Sequence, residues 1–142
     1  MTNNDKELLL KDLSARLPYG VKVQTIYINS KSGERKDIGI DVLTTVEISM
    51  LIDGIEEHKP YLFPMSSMTE EQYNSLYESG ILDNCSHNYE YVNPHIYGVS
   101  FIFKQFKTYS LELIEWLNKN HFDYRGLIPL GLAIDCTNLN IY

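Results

Sequence analysis

The stretch from Tyr109 to Cys136, YSLELIEWLNKNHFDYRGLIPLGLAIDC, most constrains what this chain can fold into. Tyr109, Leu113, Trp116 and Leu117 recur at three- and four-residue spacing, which predicts a helix with one apolar face turned to a core. Ser110 or Thr108 can cap its first turn, where Glu112 and Glu115 suit the positive end of the helix dipole. Asn118 to Asn120 end it. His121, Phe122, Asp123, Tyr124 and Arg125 then form a polar, aromatic elbow before Gly126. Pro129 and Gly131 predict a broken turn leading into a short strand, Leu132–Cys136.

Upstream, Asn4 to Leu17 reads as a first helix. Asn4 and Glu7 have capping-box spacing, and Leu9 or Leu10, Leu13 and Leu17 form the buried stripe. Pro18 and Gly20 stop it. Val21–Asn29 is rich in β-branched and aromatic residues and predicts a strand. The turn Lys31–Glu34 joins it to Asp37–Leu43, where Ile38, Ile40 and Val42 alternate with polar residues, so one face should be wet. Val46, Ile48, Met50 and Ile52 continue the alternation. Two or three antiparallel strands are therefore expected between Asp37 and Lys59, with a helix over Val42–Leu51 as the competing reading.

Pro60–Pro64 reads as an extended connector. Thr69 opens the best-marked helix: Thr69 and Gln72 have capping-box spacing, Met68 and Tyr73 staple spacing, and Gly80 is the expected stop. Ile81–Pro94 reads as a loop and Tyr97–Phe106 as an alternating strand. The order α-β-β-β-α-β-α-β predicts a single small α+β domain over 1–142, an antiparallel sheet with about three helices packed on it.

A chain of 142 residues suits one domain with one sizeable core. No apolar run approaches the roughly 18 residues of a membrane span, and the start MTNNDKE lacks a signal-peptide pattern. These features, with only two cysteines, predict a cytoplasmic protein with no membrane association. The net charge of −7 is unevenly spread. From Asp37 to Glu90 there are eleven acidic residues and one basic one, Lys59, a local charge of −10 against +3 for the rest. Such a middle repels a phosphate backbone and attracts a basic protein surface, so direct nucleic-acid binding is not expected.

Cys85, His87 and His95 are close in sequence, but their spacing fits no zinc pattern and no metal is expected. His121 and Asp123 have the chemistry of a base and its orienting carboxylate, with Ser110 or Cys136 as nucleophile. None of them sits in a nucleophile-elbow context, and no phosphate-binding loop or dinucleotide fingerprint calls for a cofactor. Arg125, between Tyr124 and Gly126, reads as structural, pairing with another element. Tyr89 and Tyr91 fall in the predicted loop, where tyrosines suit a protein-binding surface.

DLSARLPYGVKV (Asp12–Val23), KPYLFPMSSMTEEQ (Lys59–Gln72) and WLNKNHFDYRGLIPLGLAIDCTNLNIY (Trp116–Tyr142) resemble a family of small uncharacterised proteins of Bacteroidetes genomes, prophages and mobile elements. Phe63 stands where an arginine is usual in that family, and Pro129 and Leu130 replace a charged pair after the RGLI motif. The resemblance implies a mobile-element origin and little else, and carries over no catalytic residue. With the acidic middle, it leads to the expectation of a non-enzymatic inhibitor of the anti-CRISPR type. Its partner would be the basic surface of a host protein such as an RNA-guided nuclease. Glu56, Glu57, Glu70, Glu71, Tyr89 and Tyr91 are the candidate partner-binding residues. The alternatives are a small hydrolase using His121 and Asp123, or a non-antagonistic adaptor of the mobile element.

Overall fold

The computed structural model describes residues 1–85 and 93–142. The chain is α+β, with six α-helices and five strands among the described residues. It divides into two compact units, Met1–Leu62 with Arg125–Tyr142, and Phe63–Tyr124. The division falls inside a strand, so no linker composition marks it in the sequence.

In the first unit, helix α1 (Asn3–Arg16) begins earlier than Asn4 and Glu7 suggest. Thr2 is the cap: its hydroxyl accepts from the Asp5 N–H, and the Asp5 carboxylate accepts from the Thr2 N–H at 2.9 Å. Strand β1 (Lys22–Ile28) pairs antiparallel with β2 (Arg35–Val42), joined by a turn in which the Asn29 side chain accepts from the N–H groups of Lys31 and Ser32. A β-bulge interrupts the ladder, because Thr25 faces Gly39 while Ile26 faces Asp37 and Ile38 is left over.

The segment after β2 is helix α2 (Thr45–Asp53), close to the competing reading over Val42–Leu51 and in place of a strand continued through Ile52. Thr44 and Glu47 form a capping box, and Gly54 closes the helix at φ 72°. Val46, Ile48, Met50 and Ile52 alternate in sequence, yet Val46 and Ile52 face solvent and Leu51 enters the core. The helix period decides.

Strand β3 (Glu56–Pro64) then pairs antiparallel with β1, and its Pro60–Pro64 end is strand, not a connector. Proline's fixed φ is compatible with an extended chain, and Tyr61 and Leu62 are buried there. Strand β5 (Ile134–Asp135) runs parallel to β3 at Tyr61 and Leu62, and is shorter than the predicted Leu132–Cys136. The sheet is therefore mixed, where an antiparallel one was expected. Leu9, Leu13, Val21, Val23, Leu51 and Leu62 are central to the core of this unit.

In the second unit, Phe63 and Pro64 pair in parallel with β4 (Phe122–Asp123). Helix α3 (Glu70–Glu78) is capped by Thr69 and Gln72, with Tyr73 and Leu76 buried and Gly80 in the left-handed region. The predicted strand Tyr97–Phe106 is instead helical: α4 (Pro94–Tyr97) and α5 (Val99–Lys104). Val99, Ile102, Phe103 and Phe106 are buried while Phe101 is exposed, a three- and four-residue rhythm that the alternation of aromatics concealed. These reassigned stretches account for six helices where about three were expected.

Helix α6 (Leu111–Lys119) is capped by Ser110, whose hydroxyl accepts from the Leu113 N–H at 3.2 Å. Leu113 and Leu117 are buried, and Trp116 stacks on Phe122 with ring centroids 5.7 Å apart. The core of this unit mixes aliphatic side chains with the rings of Tyr73, Phe103, Phe106 and Phe122, and the partly buried Tyr109 packs against it.

The helical assignment of α2 has a direct test in urea unfolding. Leu51→Ala removes a buried side chain and should cost about 2–5 kcal/mol. Val46→Ala, at a solvent-facing position, should change stability by less than roughly 0.5 kcal/mol. Similar losses at both positions would contradict the helix.

Candidate functional site

The acidic residues expected to meet a partner are divided between the units. Glu56 and Glu57 are half-buried in the first and already engaged there. Glu57 forms a bidentate ion pair with Arg35, with Arg35 Nη1 to Glu57 Oε1 at 2.7 Å, and Glu56 Oε2 lies 3.3 Å from His58 Nε2. Glu70 and Glu71 occupy the exposed first turn of α3 in the second unit. Glu70 Oε1 is 3.1 Å from Nδ1 of the exposed His95. With Glu78, also exposed, they make the solvent face of α3 acidic, opposite the buried Tyr73 and Leu76. Tyr89 and Tyr91 lie outside the described residues.

His121 has φ 60°, and its carbonyl accepts from the Phe63 N–H at 2.9 Å. Asp123 is buried in β4. Of the candidate nucleophiles, Ser110 is committed to capping α6, and the thiol of Cys136 is buried and pushed up to about 11 by desolvation. Such a thiol is protonated at neutral pH and a poor nucleophile. Cys85 is buried with its Sγ 3.8 Å from Ser110 Oγ, His95 is exposed beside Glu70, and His87 lies outside the described residues. Among the described residues no group of three or more His, Cys, Asp or Glu side chains could hold a metal.

Two buried polar clusters in the first unit escaped the sequence reading. In the first, the Asp12 carboxylate holds Arg16 in a fork, with Arg16 Nε to Oδ2 at 2.7 Å and Nη2 to Oδ1 at 3.1 Å. Arg125 Nε approaches Oδ1 at 3.2 Å, which gives this residue the structural pairing its context predicts. Asp12 and Arg16 are fully buried. Their spacing of four on α1 was a readable signal; Arg125 as third member was not.

In the second, His58 is fully buried on β3 with Nδ1 3.1 Å from the hydroxyl of Thr25, its partner in the ladder with β1. Desolvation lowers the His58 pKa below the ordinary histidine value, against the opposing pull of Glu56, Glu47 and Asp41. A cleft of about 290 Å³ lies alongside, lined by Leu9 and Leu132 and by the charged Asp5, Arg35, Glu57 and Lys59.

Both clusters make predictions. Asp12→Ala takes the bidentate partner from a buried arginine and should cost about 3–5 kcal/mol in denaturant titration. A loss below roughly 1 kcal/mol would place the cluster in water. For His58 the folded pKa lies below the unfolded one. Its contribution to stability is thus whole above the ordinary pKa near 6.5 and falls as pH drops through that value toward the lowered one. His58→Gln should flatten that part of the profile of urea midpoint against pH. An unchanged slope would assign the acid sensitivity to other groups.

Comparison with protein-family models, with curated proteins and with solved structures finds no match to this chain.

Proposed function

We propose that the chain acts by binding a protein: the acidic face of its second unit docks on a basic surface of a host protein. The observation that carries this reading is the solvent face of α3, where Glu70, Glu71 and Glu78 are exposed. No lysine or arginine occurs between Pro60 and Phe103 to neutralise it. The second unit as a whole holds eight acidic residues against Lys104, Lys107 and Lys119. A field of one sign attracts and orients a basic partner before contact, and repels a phosphate backbone. The resemblance to proteins of prophages and mobile elements selects the partner class: an RNA-guided or other nucleic-acid-binding nuclease of a bacterial defence system, whose basic channel the acidic face would occupy. The site of action is then the cytoplasm. Among the described residues no helix is long and apolar enough to cross a membrane. No chemical step is required.

The test starts with the partner captured from a Bacteroidetes lysate. Recovery of a nuclease whose DNA cleavage falls when the protein is added supports inhibition; a replication or packaging protein supports the adaptor reading instead. The triple variant Glu70→Lys, Glu71→Lys, Glu78→Lys should associate roughly tenfold or more slowly at low salt, with dissociation nearly unchanged. The difference should shrink as salt screens it over a Debye length of about 8 Å near physiological ionic strength. Circular dichroism should show α3 retained, since exposed charges near a helix terminus contribute about 0.3–1 kcal/mol each. Equal rates and equal salt slopes for the two proteins would refute the acidic docking face.

A further inference from the structure

Strand β2 ends the strand order β2-β1-β3-β4, so its outer edge has no partner strand among the described residues. Every residue of β2 except Gly39 is exposed. Ile38, Ile40 and Val42 are exposed to 53%, 50% and 50%. An open edge of eight residues carrying three half-exposed aliphatic side chains is a template for another strand.

The bulge determines which strand fits. The Leu43 N–H donates to the Val21 carbonyl at 2.9 Å, so alternation turns the backbone groups of Asp41 toward β1 and those of Ile40 and Val42 outward. Beyond the bulge the phase changes: Lys36 faces Tyr27, and Asp37 and Arg35 become the outward residues. The outward set is therefore Arg35, Asp37, Ile40 and Val42. In an antiparallel two-fold pairing of β2 with itself, Arg35 falls opposite Val42 of the second copy and Asp37 opposite Ile40. All four outward residues then meet outward residues. The same register sets Lys36 opposite Asp41 of the second copy, twice by symmetry, and among the described residues no hydrogen bond or ion pair is found for either side chain, although Asp41 acts at longer range on His58. Shifting by one residue would oppose Asp37 to Asp41 and break the match of outward groups. We propose that this edge is a homodimer interface: a second copy of the chain pairs antiparallel along β2, in the register that joins Lys36 to Asp41. This interface is independent of the acidic face of α3. It sets Ile38 opposite Gly39 of the second copy, and like other C2 contacts it is self-complementary.

Sedimentation velocity over a concentration series tests this on the full chain. Wild type should pass from 16.5 kDa to twice that mass with rising concentration. Lys36→Asp and Asp41→Lys each place like charges opposite one another at two positions and should weaken dimerisation roughly tenfold or more. The double variant Lys36→Asp/Asp41→Lys restores both pairs and should return the dimer to within a few-fold of wild type. Both residues are exposed, so circular dichroism should be unchanged throughout. A wild type that stays monomeric at its highest soluble concentration would overturn the proposal. A dimer indifferent to the single reversals, or one that the double variant does not rescue, would overturn it as well.

Discussion

The first unit depends on one carboxylate. Asp12 holds Arg16 in a fork and meets Arg125 with the same Oδ1, so a single buried anion serves two guanidinium groups. Burying such charges is unfavourable unless their geometry satisfies them, which makes the arrangement specific: α1 has one azimuth at which Asp12 reaches Arg125. Arg125 opens the segment that returns to this unit, and that segment supplies β5. Two residues of strand cannot hold themselves on a sheet. They are retained by anchors at both ends: Arg125 on Asp12, and at the other end the Tyr142 hydroxyl, which donates to the Tyr61 carbonyl and accepts from the Lys22 N–H, both at 2.9 Å. The ends of the chain thus belong to one core, although 62 residues between them belong to another.

What the sequence discloses follows from how local each signal is. Helices α3 and α6 are legible because a cap is settled within four residues, Thr69 with Gln72 and Ser110 with Leu113. Helix α2 carried an equally local signal, Thr44 with Glu47, but the alternation of Val46, Ile48, Met50 and Ile52 competes with it. Tyr97–Phe106 shows the same conflict, since Tyr97 and Phe101 suggest a strand face while the buried set has helical spacing. Alternation in β2 identifies a strand correctly and says nothing about whether another element covers it. The buried clusters lie beyond local reading. Arg125 reaches Asp12 only through the fold, and the carboxylates that act on His58 come from β2, α2 and β3.

The second unit gives the acidic face of α3 a firm base. Tyr73 meets Phe103 edge to face with centroids 6.4 Å apart, and Tyr109 makes edge contacts with Phe103 and Phe106 at 6.1 and 6.2 Å. Edge-to-face pairs restrict ring orientation beyond what area burial alone requires. Tyr73 is both a member of this cluster and a residue on the inner face of α3, so the helix is fixed in rotation by rings that permit few alternatives. A charged face held in this way loses little conformational entropy when it docks, which is the advantage of a preorganised surface over a disordered acidic tail.

A net charge of −7 opposes self-association when spread evenly, but its distribution here removes the difficulty. Most of the excess negative charge belongs to the second unit, while β2 holds Arg35 and Lys36 against Asp37 and Asp41 and is locally neutral. Repulsion between like-charged bodies acts at long range and is screened beyond roughly 8 Å at physiological ionic strength. Pairing of Lys36 with Asp41 acts at contact, where screening is weakest. Under the proposed function and the proposed dimer the two charge patterns answer to different lengths: the acidic unit to the approach of a basic protein, the neutral strand edge to the register of a neighbour already in place. Raising the salt should weaken the first while leaving the backbone ladder of the second largely intact, because hydrogen bonds do not depend on a Debye length.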